Sequence, residues 1–318
     1  MREFESNLGQ YIRDMMDYKA ALGYCPSNYR IVLLQFDRHC SSNYPNEINL
    51  TKEIVNTWAV LREGESMAYL NVRLTAVRQL GKYLQSIGMP AYVAPLKMTA
   101  RQKKYTPHIF TESELKAFFH GADKFTDRLS PYNRYIVPVI FRLIYCCGLR
   151  PQEGRLIKME DIDINSGKLF IRNSKQYKDR VVVLTDELIQ LCKSYMRVRE
   201  QFGFGGDYLF SNNSGGAFSP RWLINKFKKC WKIAGVNELP NPKPRIYDFR
   251  HTYATNRLYE WMEQKEDINA FLPYLSAYMG HAKLSDTAYY IHLLPERLTS
   301  SKTINWKSFA DLLPEVPL

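Results

Sequence analysis

Apolar residues recur at helical spacing from the start of the chain. Phe4, Leu8, Tyr11, Ile12 and Met15 share one face, as do Ile31, Leu34 and Phe36, with Gly23 and Pro26 between the two runs. Thr51, three residues before Ile54, opens a third helix. Leu70, Leu74, Val77, Leu80 and Leu84 mark a fourth, from Met67 to Leu84, which Gly88 and Pro90 end. Residues 1–97 are therefore expected to form a small helical bundle. On its last helix Arg73, Arg78 and Lys82 fit two placements, a solvated charged face or a face turned to a polyanion.

The periodicity stops between Ala91 and His108, where Pro95, Arg101, Lys103, Lys104 and Pro107 gather, so 98–108 is expected to be a basic linker. A second domain begins near Ile109, because Thr111 and Glu114 have the spacing of a capping box. The run from Tyr135 to Cys147 is apolar throughout and predicts a buried helix closed by Gly148, with Arg150 and a new helix start at Pro151 directly after it. Ile162–Ile164, Lys168–Arg172 and Arg180–Leu184 predict a small antiparallel sheet, whose second turn carries Lys175 and Lys178. Helices follow over Leu188–Phe202 and around Phe227, Cys230, Trp231 and Ile233. The lysines about the latter, Lys226, Lys228, Lys229 and Lys232, fit a groove-facing surface or a solvated one. The expected fold is thus mainly α with a small antiparallel sheet.

Three polar patches close together carry most of the candidate chemistry. Tyr247-Asp248-Phe249-Arg250-His251 opens an apolar helical run, and Met279-Gly280-His281 follows a break expected at Pro273. Tyr289-Tyr290-Ile291-His292 comes next, with Tyr290 nine residues beyond His281 and Thr287 just before it. Past these, Trp306, Phe309, Leu312 and Leu313 fall on one face between Thr303 and Pro314, which predicts a short tail helix over 301–318.

Composition narrows the partners. The 318 residues have room for about two domains, and 45% of them are hydrophobic, enough for real cores. A net charge of +12 calls for a polyanion, be it RNA, DNA or a membrane surface. Divided at Lys97 and Ile109, the excess is +2, +3 and +7, which suits a lined channel more than a basic tail. Six cysteines without C-x-x-C spacing, and an N-terminus without an apolar signal region, point to a reduced, cytoplasmic compartment and away from zinc. No apolar run reaches the roughly 20 residues of a membrane span.

The three patches resemble the C-terminal half of the tyrosine recombinases, the phage integrase family, in H-x-x-R-H-T, then G-H, then T-x-x-Y-x-H. Gly148-Leu149-Arg150-Pro151-Gln152-Glu153 resembles the family's first arginine motif, G-L-R-x-x-E, and Lys175 starts a K-x-x-K-x-R-like run in the hairpin. The resemblance implies a helical N-terminal core-binding domain over 1–97 and a mixed α/β catalytic domain over 109–300, held as a C-shaped clamp on a duplex. For the tail it implies docking on a neighbouring protomer, with packing in cis on its own catalytic domain as the other reading. Breaking a phosphodiester without a metal needs a nucleophile, a proton donor for the leaving oxygen and fixed positive charge around the transition state. The roles implied are Arg150 and Arg250 as phosphate ligands, His281 as a hydrogen-bond donor, Lys175 as general acid and Tyr290 as the nucleophile of a 3′-phosphotyrosyl intermediate. No cofactor is required, since the covalent link conserves the bond energy.

Two positions depart from the pattern. Tyr247 stands where the family usually has His, and a phenol is a poor base near neutral pH. The spacing from Arg250 to His281 is long, which suggests a longer loop around Glu263 to Asn269. His251 adjoins Arg250, and helical geometry is expected to aim it elsewhere; Tyr289 is expected to point away from whatever Tyr290 reaches. The implied partners are double-stranded DNA, further copies of the chain in a tetrameric complex and, as the family allows, accessory DNA-bending proteins, with no membrane. A binding-only regulator and a type IB topoisomerase-like nicking and closing enzyme remain the alternatives.

Overall fold

The computed structural model describes residues 4–24, 27–95, 106–172, 179–203, 205–235 and 243–293. Lys175, the basic residues 101–104 and the tail helix expected over 301–318 lie outside the described residues. The chain divides into two compact units, Met1–Tyr105 and Thr106–Leu318.

Among its described residues the first unit holds four helices, α1 (Gly9–Ala21), α2 (Ser27–Asn43), α3 (Lys52–Trp58) and α4 (Met67–Ser86). Thr51 and Ser66 start the last two by accepting the N–H of Ile54 and Tyr69, the ordinary N-cap bond worth about 1 kcal/mol. Their core is built on Leu8, Ile12, Phe36, Ile54, Trp58, Leu74, Val77 and Leu84. One expected face is corrected: Ile31 is exposed, and α2 buries Val32, Leu33, Phe36 and Cys40 instead. Buried Asp37 explains the rotation. Its carboxylate accepts from Glu5 N at 2.6 Å, Ser6 N at 3.1 Å and Ser6 Oγ at 2.5 Å, tying the start of the chain to that side of α2.

Both placements expected for Arg73 and Arg78 are also overturned, because these side chains point inward. Arg73 is fully buried: Nε and Nη2 each lie 2.6 Å from the Glu65 carboxylate, and Nη1 and Nη2 donate to the carbonyls of Trp58 and Val60. Arg78 donates to the carbonyls of Ala94 and Pro95 at 2.6 and 2.8 Å. The guanidinium fork satisfies carbonyls that no helix closes. Arg73→Met should therefore strand a buried carboxylate and cost about 3–5 kcal/mol, read as a lower urea midpoint of the full chain. A shift under about 1 kcal/mol would return Arg73 to the surface.

In the second unit, the capping box at Thr111 starts α5 (Glu112–Asp123), followed by α6 (Asn133–Cys146) and the short α7 (Pro151–Arg155). Strands β1 (Ile162–Asp163), β2 (Lys168–Ile171) and β3 (Arg180–Val183) pair antiparallel in that order, with Leu169 opposite both Ile162 and Val182. Then come α8 (Asp186–Gln201), α9 (Pro220–Ile233), α10 (Asp248–Glu263), α11 (Ile268–Met279), α12 (Leu284–Ala288) and a 3-10 turn, Tyr289–Leu293. Mainly helical with one small antiparallel sheet, the architecture is the one expected. Phe118, Phe141, Phe227, Trp231 and Phe249 pack ring against ring between α5, α6, α9 and α10. This aromatic centre fixes the first turn of α10, where Arg250 lies.

Three local expectations change. Pro273 does not break the chain but sits inside α11 on its exposed side, where the carbonyl it leaves unbonded can meet water. The residues around Glu263–Asn269 are not a long loop: α10 runs to Glu263 and α11 begins at Ile268, with Lys265 at positive φ in the tight turn between them. On α9, Lys226 pairs with Asp127 and Lys229 donates to the Thr126 carbonyl at 2.5 Å, so these two lysines brace the preceding loop; Lys228 and Lys232 are exposed. Among the described residues no helix is long and apolar enough to cross a membrane.

Candidate active site

Arg150 stands at the N-cap of α7, and the R-x-x-E spacing has a local cause. Glu153 at the third helical position reaches back, its carboxylate accepting from the Arg150 backbone N–H at 2.8 Å and from Nη1 at 2.6 Å. Arg180, at the start of β3, closes the other side of the same carboxylate, with contacts of 3.0 and 2.8 Å. Arg250 is fully buried in α10, its Nη1 4.0 Å from Glu153. Three guanidiniums thus surround one carboxylate and leave a net positive site. Burial alone would raise the Glu153 carboxyl, but Arg180 first and then Arg150 hold it at about 2.

Two left-handed glycines orient the arginines crosswise. Gly148, at φ +58° after α6, turns its carbonyl to Arg250 Nη1 at 2.8 Å, and Gly280, at φ +64° after α11, presents its carbonyl to Arg150 Nη2 at 2.8 Å. A Cβ at 148 would stand 2.6 Å from the Tyr253 ring, so both the conformation and the space require glycine. Arg250 Nη2 donates to the Met279 carbonyl as well, while its Nε has no partner. Burial first, then the charge of Arg150, push this guanidinium down to about 10, which still leaves it charged at neutral pH.

His281 follows Gly280 directly. Its Nδ1 lies 2.7 Å from Thr287 Oγ1, and its ring stacks near Tyr290 with centroids 5.8 Å apart. Burial and then Arg250, Arg150 and Arg180 lower this imidazole to about 3, so it is neutral at neutral pH. Tyr290 is buried in the 3-10 turn, and desolvation raises its phenol to about 12 against the opposing charge of Arg250. Tyr289 is half-buried against the cluster of α10 and α11. Tyr247 lies at the N-cap of α10, more exposed than the others, with its ring 5.2 Å from that of His251.

Arg150, Tyr247, Arg250, His281 and Tyr290 are therefore brought to one place. Three further residues there were missed from the sequence. Glu153 and Arg180 had a signal, standing as the last letters of G-L-R-x-x-E and of the K-x-x-K-x-R-like run. His251 had one too, as the H after R in H-x-x-R-H-T, but its expected orientation is corrected: its ring lies 5.6 Å from that of Tyr290, because the turn carrying Tyr290 packs back on the first turns of α10.

Known proteins are similar to this chain in sequence and in fold. The phage integrase family model matches residues 108–297, more than half of the chain. Over 301 residues the chain is 25% identical to the putative integrase/recombinase y4rB of Sinorhizobium fredii, covering 92% of this chain and 94% of that protein. It is 28% identical over 240 residues to the tyrosine recombinase XerA of Pyrococcus horikoshii, covering 74% and 73%. The same fold occurs in the XerH site-specific recombinase bound to palindromic difH substrate in a post-cleavage complex, at TM-score 0.64 and 23% identity over 94% of this chain and 84% of that one. It occurs again in a lambda integrase dimer bound to a COC' core site, at TM-score 0.60 and 14% identity over 93% and 98%. The chain belongs to the phage integrase family and is a DNA breaking-rejoining enzyme of the tyrosine-recombinase type.

Proposed function

We propose that the protein is a site-specific recombinase that cleaves double-stranded DNA through a 3′-phosphotyrosyl link on Tyr290. The observation that carries this reading is the placement of the buried Tyr290 against Arg250 and His281, with Arg150 fixed beside them by Glu153 and Gly280. Arg150 and Arg250 neutralise the non-bridging oxygens as charge gathers on the pentacovalent phosphorus, and their carbonyl bonds hold the forks ready. If Thr287 donates to Nδ1 of His281, Nε2 carries the proton and gives it to a phosphate oxygen as a hydrogen bond. Lys175, from the hairpin before β3, protonates the leaving 5′-oxygen. Residues 1–97 bind the duplex as a core-binding domain, 98–108 track its backbone, and strand exchange takes place in a tetramer on two sites, with the tail over 301–318 linking protomers.

The decisive experiment is covalent trapping on a nicked duplex carrying a site enriched by binding from a random-sequence library. A protein–DNA adduct that survives denaturation is expected. Specific binding without an adduct would make the protein a binding-only regulator.

Tyr247 serves here as a neutral phosphate ligand in the place of the usual histidine. Tyr247→Phe should cleave about 10- to 100-fold more slowly, the effect of losing one transition-state donor. Tyr247→His should keep or raise the rate. An unchanged single-turnover rate in Tyr247→Phe would remove this role.

A further inference from the structure

The Tyr290 hydroxyl must shed a proton as its oxygen attacks phosphorus, and burial makes that proton harder to lose. Few neighbours can accept it. The arginines offer no lone pair, Tyr247 is a phenol, and His281, in the tautomer proposed above with Thr287 donating to Nδ1, presents an N–H at Nε2. His251 remains. Its ring neighbours both phenols, with centroids 5.2 Å from that of Tyr247 and 5.6 Å from that of Tyr290. Its Nδ1 is buried and has no hydrogen-bond partner, a state that costs about 1–3 kcal/mol and leaves a lone pair or N–H uncommitted beside Tyr290.

We infer that His251 accepts the proton of Tyr290 during attack, the work that Tyr247 cannot do. This rests on Tyr290 being the nucleophile. As the Tyr290 Oη–phosphorus bond forms, the phenolic proton passes to an imidazole nitrogen of His251. The bond from phosphorus to the 5′-oxygen breaks, and that oxygen takes its proton from the general acid assigned to Lys175. In rejoining, the 5′-hydroxyl gives its proton back to the amine assigned to Lys175 as it attacks phosphorus, the Tyr290 Oη–phosphorus bond breaks, and the His251 imidazolium returns its proton to the departing phenolate. No redox partner is involved.

The charges around the ring fit a neutral acceptor. Arg245 and Tyr247 lie near it from just before α10, Asp248 and Arg250 from the first turn of α10, Tyr290 from the 3-10 turn, and His281 from just after α11. Burial above all, then Arg245 and Arg250 against the opposing Asp248, lower His251 to about 4, so it is unprotonated at neutral pH. A phosphodiester bound by Arg150 and Arg250 offsets part of that positive field and makes the ring more basic when the proton must move.

His251→Gln should bind the nicked duplex as the parent does and cleave about 100-fold more slowly at pH 7. Its rate should climb with pH as hydroxide replaces the lost acceptor, while the parent levels off. His251→Ala, normalised to the DNA-bound fraction, should regain cleavage when imidazole is added, which a purely structural role would not produce. A parental rate in His251→Gln, or a flat pH profile together with no imidazole rescue, overturns the inference while Tyr290→Phe stays inactive. Adduct formation by Tyr290→Phe instead overturns the nucleophile assignment, and His251 with it.

Discussion

Tyr290→Phe should bind site DNA as tightly as the parent and form no covalent adduct, whereas Tyr289→Phe should keep adduct formation. The two hydroxyls are adjacent in sequence but not in chemistry. On the 3-10 turn, successive side chains diverge by about 120°, so only one of the pair can face the arginines. Tyr290 is that one: it is buried beside His281 and His251, whereas Tyr289 is only half-buried. Removing the oxygen deletes the bond to phosphorus itself, so the expected loss is complete. Packing should barely change, because phenylalanine fills the same space less one atom. Denaturing gels with end-labelled nicked duplex read the adduct, and gel shifts read binding. Adduct retained in Tyr290→Phe and lost in Tyr289→Phe would move the nucleophile one residue earlier.

Helix positions in this protein are legible because caps and apolar periodicity act locally. Thr51, Thr111 and Gly148 announced three helix ends, and each ends or starts a helix through its own backbone or side-chain bond. What a charged residue on such a helix does is not local. Arg73 has the spacing of a surface residue, yet its partners are Glu65 and two carbonyls, one on the last residue of α3 and one just past it, which only the packed bundle brings near. Pro273 misled for the opposite reason: a helix tolerates proline where the freed carbonyl meets water, and exposure was not visible in the sequence.

The site divides along the same line. Residues within short motifs could be read, since R-x-x-E is a helix-start device and Gly280 a helix-end device. Glu153 serving two arginines at once, and His251 meeting Tyr290, depend on β3 and the 3-10 turn returning to one place. The Tyr247 departure takes on a different meaning once His251 is seen beside it. A phenol at 247 removes a base from one side of the nucleophile, and an imidazole stands on the same helix one turn further on.

Arg250→Lys should lower single-turnover cleavage by about 10²–10³-fold although the charge is conserved. Arg250 spends one N–H on the Gly148 carbonyl and one on Met279 and also meets the Tyr290 hydroxyl, and in the proposed role its remaining N–H groups, Nε among them, go to phosphate oxygens. A lysine carries three donors on one atom and cannot span both carbonyls while facing a phosphate. One carbonyl would lose its partner in a buried setting, which adds a stability loss of about 1–3 kcal/mol measurable by urea unfolding. The pH dependence separates geometry from charge. Burial beside Arg150 already pushes the Arg250 guanidinium down to about 10, and the same surroundings act on a lysine that starts from about 10.4. A lowered amine is charged below its pKa, so cleavage by Arg250→Lys relative to the parent should improve as pH falls from 8 to about 6. A variant within tenfold of the parent at pH 7.5, or one whose relative rate improves with rising pH, would remove Arg250 from the phosphate and leave it a strut between Gly148 and Met279.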